Sequence, residues 1–370
     1  MNKNNNIIKI SGSPEGFDAD LIIKEVNAGK TAIHVCRDDK RLLETKQALQ
    51  FYNAGFEILE FPAWDCLPYD RVSPSLTIVS KRISTLSKLT REEANPFVVL
   101  TTVAAITQKT QSIKTIRETV FNLNVGTQVN LDNLTAYLVR MGFSKCATVM
   151  EPGDYSLRGG IIDIFPPSYK KPIRLDLFGD TLETIRSFDQ NTQIGKDRIK
   201  SVTLTPASEV ILDQSGVENF RKNYRAEFGA PSSDDGVYEA VTAGMKYQGL
   251  EHWLPFYYEE LANLFDYLPK ATIFLDESFE MIVQDRWLKV LDQFESRKEA
   301  LSRKRNLDSI YKPIKPDLLY YDHSSLMSLI NKRRVLSFSS VKLPIGLNTL
   351  DARGIVGRNF SPERLANNEN

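Results

Sequence analysis

The strongest constraint on the fold is an alternation of short apolar runs with helical patterns over the first third of the chain. Between the apolar runs, apolar residues recur at helical spacing in 38–52 and again in the segment that ends at Leu89. The runs themselves have the length of strands and cover 7–10, 31–36, 57–61 and 97–102. Strands separated by helices usually pair in parallel through right-handed crossovers, so this order predicts a parallel α/β sheet of the nucleotide-binding type. We assign residues 1–120 to the first part of such a domain.

The pattern changes near residue 121. A helix candidate at 134–141 is followed by closely spaced strand candidates with Gly and Pro between them, at 160–165, 173–178, 182–188 and 201–205. Short strands joined by tight turns favour antiparallel hairpins. The sequence therefore predicts a small α+β domain over 121–208, inserted before the second part of the α/β domain at 209–345. Residues 346–370 are rich in Gly, Asn and Arg, and we expect a linker or the start of a following domain there.

The composition excludes several functional classes. Hydrophobic residues make up 42% of the 370 residues, and 47 Lys and Arg balance 47 Asp and Glu, so a globular protein without a strong polyanion-binding charge is expected. The apolar runs are far shorter than the ~20 residues that cross a bilayer, and the first residues lack a secretory signal, so we expect a cytoplasmic protein without membrane contact. Three cysteines and three histidines are scattered, so no zinc site, other metal centre or catalytic triad is assigned.

A phosphate-binding loop would be expected after the first strand of such a domain. It needs glycines whose neighbouring N–H groups surround phosphate, a Lys for the β and γ oxygens, and a Ser or Thr for magnesium. Gly12 and Gly16 keep the shape of such a loop, but Phe17, Asp18 and Ala19 stand at the positions of the second Gly, the Lys and the Ser or Thr. A carboxylate at the lysine position would repel a triphosphate, and alanine cannot bind magnesium. The tripeptide at 29–31, Gly-Lys-Thr, precedes a strand instead of following one and is a decoy.

The metal-binding partner of such a loop would be a buried strand that ends in acidic residues. The apolar run 272–275 followed by Asp276 and Glu277 fits this pattern, although any buried strand that ends in an acidic turn fits as well. Together with the altered loop, it predicts a degenerate P-loop NTPase-like fold that does not turn over nucleotide. The candidate residues of this degenerate site are Gly12, Gly16, Asp18, Asp276 and Glu277.

Several longer strings resemble the excision-repair helicase subunit UvrB. The stretches 264–269 and 276–278 are similar to its acidic-motif region. The small domain is similar to its UvrA-binding domain, on the strings 158–166, 174–180 and 185–189.

UvrB itself is disfavoured, because it has an intact phosphate loop and a Tyr-rich hairpin that grips damaged DNA. Here the stretch 64–70, Trp-Asp-Cys-Leu-Pro-Tyr-Asp, leads through 73–75 into a helix and leaves no room for that hairpin. This connection, the altered loop and the stretch 357–364 resemble the transcription-repair coupling factor (Mfd) family, in its N-terminal UvrB-homology region.

The resemblance implies a binding module that recruits UvrA to lesions where RNA polymerase has stalled. Family members are longer, and the resemblance implies that they contact RNA polymerase and DNA, and use ATP and magnesium, through domains absent from these residues. For the segment itself we expect no enzymatic activity and no cofactor. The alternative is a UvrB-like, ATP-dependent DNA-unwinding subunit of excision repair.

One strand of the small domain carries the candidate binding residues. Arg174, Asp176 and Phe178 share a strand face, because side chains at i, i+2 and i+4 point the same way, and interface hot spots are enriched in Arg and aromatic residues. Arg158, before the Gly159-Gly160 turn, is placed to reach the same surface. A purely structural interpretation pairs Arg174 with Asp176 and uses Phe178 to cover a sheet edge. The resemblance implies UvrA contacts at Arg158, Arg174 and Phe178.

Overall fold

The computed structural model describes residues 7–14, 16–52, 54–91, 95–232, 234–302, 311–344, 346 and 348–354. The first segment alternates strands and helices as the sequence predicts. Its elements are β1 (Ile7–Ser11), α1 (Phe17–Asn27), β2 (Ala32–Cys36), α2 (Asp39–Phe51), β3 (Ile58–Phe61), α3 (Leu76–Leu89), β4 (Val98–Thr102), α4 (Val103–Ile106), β5 (Thr110–Gln111) and α5 (Ile113–Thr119).

The middle segment forms a second sheet, which is antiparallel except for one parallel pair of strands at one edge. Its elements are β6 (Phe121–Asn124), α6 (Leu131–Arg140), β7 (Ser144–Lys145), β8 (Asp154–Arg158), β9 (Ile161–Ile164), β10 (Ile173–Phe178), β11 (Thr181–Phe188), β12 (Gly195–Ile199) and β13 (Ser201–Leu204). The sheet order is β12-β11-β10-β9-β8-β7, in which β7–β8 is the parallel pair. Strand β6 pairs antiparallel with β13, so the first and last strands of this segment lie side by side. We call this segment the inserted domain.

The last segment returns to the first sheet. Its elements are α7 (Gln214–Phe228), α8 (Gly236–Thr242), a 3₁₀ helix (Leu250–Trp253), α9 (Leu254–Tyr257), β14 (Leu261–Ala262), α10 (Leu264–Tyr267), β15 (Thr272–Leu275), α11 (Phe279–Ser302), α12 (Pro316–Leu319), α13 (His323–Ile330), β16 (Val335–Ser339) and β17 (Thr349–Asp351). Within 346–370, the stretch expected to be a linker, β17 forms an edge strand of the large sheet. Residues 355–370 lie outside the described residues, and so does the stretch 357–364 that carries part of the family resemblance.

The large sheet is built from both flanking segments. Among the described residues its strands run in the order β17-β1-β16-β15-β2-β4-β3, and every neighbouring pair is parallel. Strands β2, β4 and β15 are buried along their whole length because helices cover both faces of the sheet. The predicted fold class, a parallel α/β sheet in two segments with an antiparallel α+β insertion, is therefore confirmed. In the part of the chain that the structure describes, no helix is long and apolar enough to span a membrane.

The inserted domain has its core on one face of its sheet. The alternate residues Ile162, Ile164, Ile173, Leu175 and Ile185 are buried against α6. The opposite face carries the intervening polar residues. It is this polar face that bears the candidate binding residues.

Candidate functional site

The loop after β1 makes its own hydrogen bonds where a phosphate loop would leave donors free. The Gly12 N–H donates to the Val341 carbonyl at 3.2 Å, and the Ser13 N–H donates to the Ser339 carbonyl at 2.9 Å. In a phosphate-binding loop, N–H groups of this kind surround the anion. Here they are bonded to β16 and to the residues that follow it.

Segments near the end of the chain fill the space beside this loop. A Cβ at Gly354 would lie 2.5 Å from Pro14 Cδ and 2.6 Å from the Gly12 carbonyl oxygen, so the backbone of Gly354 packs directly on the loop. The Lys342 side chain lies 3.3 Å from the position of a Cβ at Gly12. Glycine is required at position 12 for its backbone as well, because its φ is +63°.

Asp18 lies in the first turn of α1, where the helix dipole favours a negative charge. It is 3% exposed, and its Oδ2 accepts a hydrogen bond from Arg41 Nη2 at 2.7 Å and one from Thr45 Oγ1 at 3.3 Å. His34 Nε2 lies 3.7 Å from the same oxygen. Burial lowers the pKa of His34. Arg41, from α2, therefore supplies the counter-charge for Asp18, the carboxylate that stands at the lysine position of a phosphate loop.

The second acidic residue meets the same arginine. Asp276 follows β15, and its Oδ2 lies 3.6 Å from Arg41 Nε and accepts a hydrogen bond from the Arg37 N–H at 3.2 Å. Burial acts to lower the pKa of Arg41, but Asp18 and Asp276 outweigh it and raise that pKa overall. The fold thus brings Asp18 and Asp276 together through Arg41, a residue that sequence reasoning missed. A buried Asp18 signals that a counter-charge is needed, but it does not identify which arginine supplies it.

Glu277 points elsewhere. Its Oε1 accepts hydrogen bonds from the Ser340 N–H at 3.2 Å and from Ser340 Oγ at 2.7 Å. Gly16, with a φ of +84°, marks the start of α1. Among the described residues no group of three or more His, Cys, Asp or Glu side chains is arranged to hold a metal ion.

The polar face of the inserted domain follows from the strand register. Arg158 lies opposite Ile161, which lies opposite Asp176, and the next row across the sheet pairs Asp163 with Arg174. Directly opposed residues point to the same side of a sheet. The polar face comprises Ser156, Arg158, Ile161, Asp163, Arg174, Asp176, Thr184, Arg186 and Arg198, together with Phe178 at its end.

Arg174 is held within the face. Its Nε and Nη2 donate to the two carboxylate oxygens of Asp163 at 2.7 and 2.9 Å, and its guanidinium lies 4.8 Å from the centre of the Phe188 ring. These hydrogen bonds to the Asp163 carboxylate raise the pKa of Arg174. The intradomain partner of Arg174 is thus Asp163, whereas Asp176 pairs with Arg186 at 3.4 Å.

Phe178 and Arg158 reach the surface at one end of the face. The Phe178 side chain is 77% exposed, where β10 turns into β11. Arg158 is exposed and donates to the Ala147 carbonyl and, at 3.4 Å, to Thr148 Oγ1. Gly160 allows the neighbouring turn to approach β10, because a Cβ there would lie 2.6 Å from the Leu177 carbonyl oxygen.

Comparison with known proteins agrees with this architecture. The family described as the UvrB interaction domain matches residues 121–210, which cover the inserted domain. The transcription-repair-coupling factor of Haemophilus influenzae is 32% identical over 287 residues, which are 76% of this chain and 25% of that protein. The factor of Rickettsia bellii is 28% identical over 87% of this chain and 28% of its own length, and that of Escherichia coli K12 is 30% identical over 59% and 19%. The chain spans about a quarter of the length of these curated relatives.

The fold and the matched domain define a UvrB-like module, a parallel α/β domain that carries a UvrB interaction domain. The similarity to transcription-repair-coupling factors extends over most of the chain. The chain belongs to this family and corresponds to its N-terminal UvrB-like region.

Proposed function

We propose that this region recruits UvrA to DNA lesions where RNA polymerase has stalled, and that UvrA docks on the polar face of the inserted domain. The observation that carries the proposal is Phe178, a large aromatic side chain left 77% exposed beside an arginine-rich sheet face. The match to the UvrB interaction domain supports the kind of partner. The similarity to transcription-repair-coupling factors supports the setting in coupled transcription and repair.

The chemistry of the face suits a partner with acidic groups. The polar face contains four arginines and two aspartates, which leaves a net positive charge of two. Arginine binds carboxylates through paired N–H groups, and interface hot spots are enriched in aromatic and Arg side chains. Complementary charge would also speed the encounter and make it sensitive to salt.

The α/β domain, in this proposal, is a scaffold without a nucleotide or metal cofactor. The donors of the loop at Gly12 and Ser13 are bonded to the chain itself, and Arg41 supplies the positive charge between Asp18 and Asp276. The same contacts disfavour the UvrB-like, ATP-dependent alternative. Translocation on DNA, ATP hydrolysis and contact with RNA polymerase are proposed for the remainder of the full-length protein.

The docking face is tested by measuring the affinity of purified UvrA for the chain and for its Arg158→Ala, Arg174→Ala and Phe178→Ala variants. We expect each substitution to weaken binding by about 2 kcal/mol or more, because each removes a hot-spot side chain. Phe51→Ala is the matched control, because Phe51 is 84% exposed on α2, outside the inserted domain, and it should bind as the unchanged chain does. Undiminished binding by both the Arg174 and Phe178 variants would rule out the face.

The scaffold role is tested by thermal unfolding with and without magnesium and ATP. A ligand at 100 times its Kd stabilises a protein by about 2.7 kcal/mol, so a working site would raise the melting temperature clearly. We expect no shift at millimolar ATP. Micromolar ATP affinity that is lost in Asp276→Ala would overturn the proposal for this domain and favour the ATP-dependent alternative.

A further inference from the structure

Arg174 is fixed from two sides before any partner arrives. Asp163, directly opposite on β9, takes both its Nε and its Nη2 hydrogen bonds. The Phe188 ring lies against its guanidinium, and Phe188 is itself buried with Val149 and Phe165. Backbone pairing therefore sets where Asp163 stands, and Asp163 sets where the guanidinium points.

The pairing leaves part of the guanidinium available. Arginine has five N–H donors, and Asp163 uses two of them while the Gln193 carbonyl lies 3.4 Å from Nη1. The Arg174 side chain is 24% exposed, whereas that of Asp163 is 3% exposed. Asp163 is thus too deep to meet a partner, but Arg174 presents its outer edge to solvent.

Holding a long side chain in its binding geometry reduces the entropy lost when a partner binds. A free arginine side chain would have to be ordered in the complex, and its planar fork is useful only in the correct orientation. The neighbouring Arg158 is held by the Ala147 carbonyl and Thr148 instead of by a carboxylate. The buried carboxylate thus distinguishes Arg174 from Arg158.

We infer that Asp163 is a positioning residue for partner recognition, which holds the Arg174 guanidinium in a preorganised orientation so that its outer N–H groups meet a carboxylate on the partner. The inference rests on the proposed function. The inference adds two points to that function. Asp163, which is too buried to contact the partner, contributes to binding through Arg174, and Arg174 recognises a carboxylate.

The test is a double-mutant cycle on UvrA affinity, with Asp163→Asn, Arg174→Gln and the double variant. If Asp163 acts through Arg174, Asp163→Asn weakens binding about tenfold in the unchanged chain and has no further effect once Arg174 is glutamine. Asp132→Asn is the matched control, because Asp132 is an exposed aspartate of the same domain on α6, which packs on the opposite face of the sheet. It should leave affinity unchanged.

A second variant covers the case in which Asp163→Asn does not fold, which thermal unfolding will show. Arg174→Lys keeps the charge but loses the two-pronged contact with Asp163, and we expect it to bind about as weakly as Arg174→Gln. Full affinity in Arg174→Lys or in folded Asp163→Asn, or additive losses in the cycle, would overturn the inference while UvrA recruitment stands. An unchanged chain that does not bind UvrA would overturn the proposed function and this inference with it.

Discussion

Arg41 explains how a carboxylate can stand where a phosphate loop carries its lysine. Asp18 and Asp276 are 3% and 6% exposed, and buried carboxylates are tolerated only when they are paired. The Arg41 side chain comes from α2 and lies between them, at 2.7 Å from Asp18 and 3.6 Å from Asp276. Arg41 thus supplies the positive charge that a lysine and a metal ion would provide in a working nucleotide site.

Replacing this arginine should therefore destabilise the fold. Arg41→Met keeps much of the side-chain length but leaves two buried carboxylates without their shared counter-charge, and we expect a loss of about 3–5 kcal/mol in the free energy of unfolding. Urea unfolding at neutral pH measures it. Lys40→Met is the matched control, since the Lys40 side chain is 82% exposed, and it should change stability by less than about 0.5 kcal/mol. An Arg41 variant as stable as this control would contradict the assigned role.

At the scale of elements, the sequence was most informative about features that depend on one strand or helix alone, such as its bounds and its buried face. The apolar runs of the first segment became β1 to β4 within one residue at each end. Alternation along β10 also placed Leu175 in the core and Phe178 at the surface correctly, because a strand needs only a period of two to define its faces.

The helix α11 shows where such reasoning fails. The pattern predicts one apolar stripe that contains Met281, Trp287, Leu288, Leu291 and Phe294. The structure packs Trp287 and Phe294 of this stripe against the core, but it leaves Met281 and Leu288 59% and 62% exposed and fully buries Phe279, Val283 and Val290 instead. A long helix with apolar residues on more than one side has several possible buried faces, and its packing against α4, α12 and α13 decides which one is used.

The candidate site divides in the same way. Local spacing in the sequence pointed to Gly12, Gly16, Asp18 and Asp276 as candidates. It did not reveal which residues pair with the two carboxylates or accept hydrogen bonds from the loop. Arg41 is 23 residues from Asp18, and the carbonyls that bind the loop N–H groups come from residues more than three hundred positions later. Contacts of that separation depend on which strands lie side by side, and the order of the large sheet is not encoded in any single segment.

At the scale of the whole molecule, one buried carboxylate joins the two segments of the α/β domain at the point where the chain leaves the inserted domain. Glu209, just after the inserted domain, accepts a hydrogen bond from Arg82 Nε of α3 at 2.6 Å and one from Trp64 Nε1 at 2.9 Å. Both partners of the Arg82–Glu209 ion pair are fully buried, and the Arg82 guanidinium lies 4.3 Å from the centre of the Phe61 ring. The short connection that begins at Trp64 is thus tied to the point where the chain leaves the inserted domain.

Breaking this ion pair on one side should cost more than removing it altogether. Arg82→Leu leaves Glu209 buried and unpaired, and we expect a loss of about 3–5 kcal/mol in the free energy of unfolding. The double variant Arg82→Leu, Glu209→Leu removes both charges, and because the desolvation cost disappears with them it should recover a large part of that loss. Urea unfolding of the two variants and the unchanged chain measures the difference, and UvrA binding by the folded double variant shows whether the polar face survives. If the double variant is no more stable than Arg82→Leu, the pair matters through packing alone and its charges do not hold the two segments together.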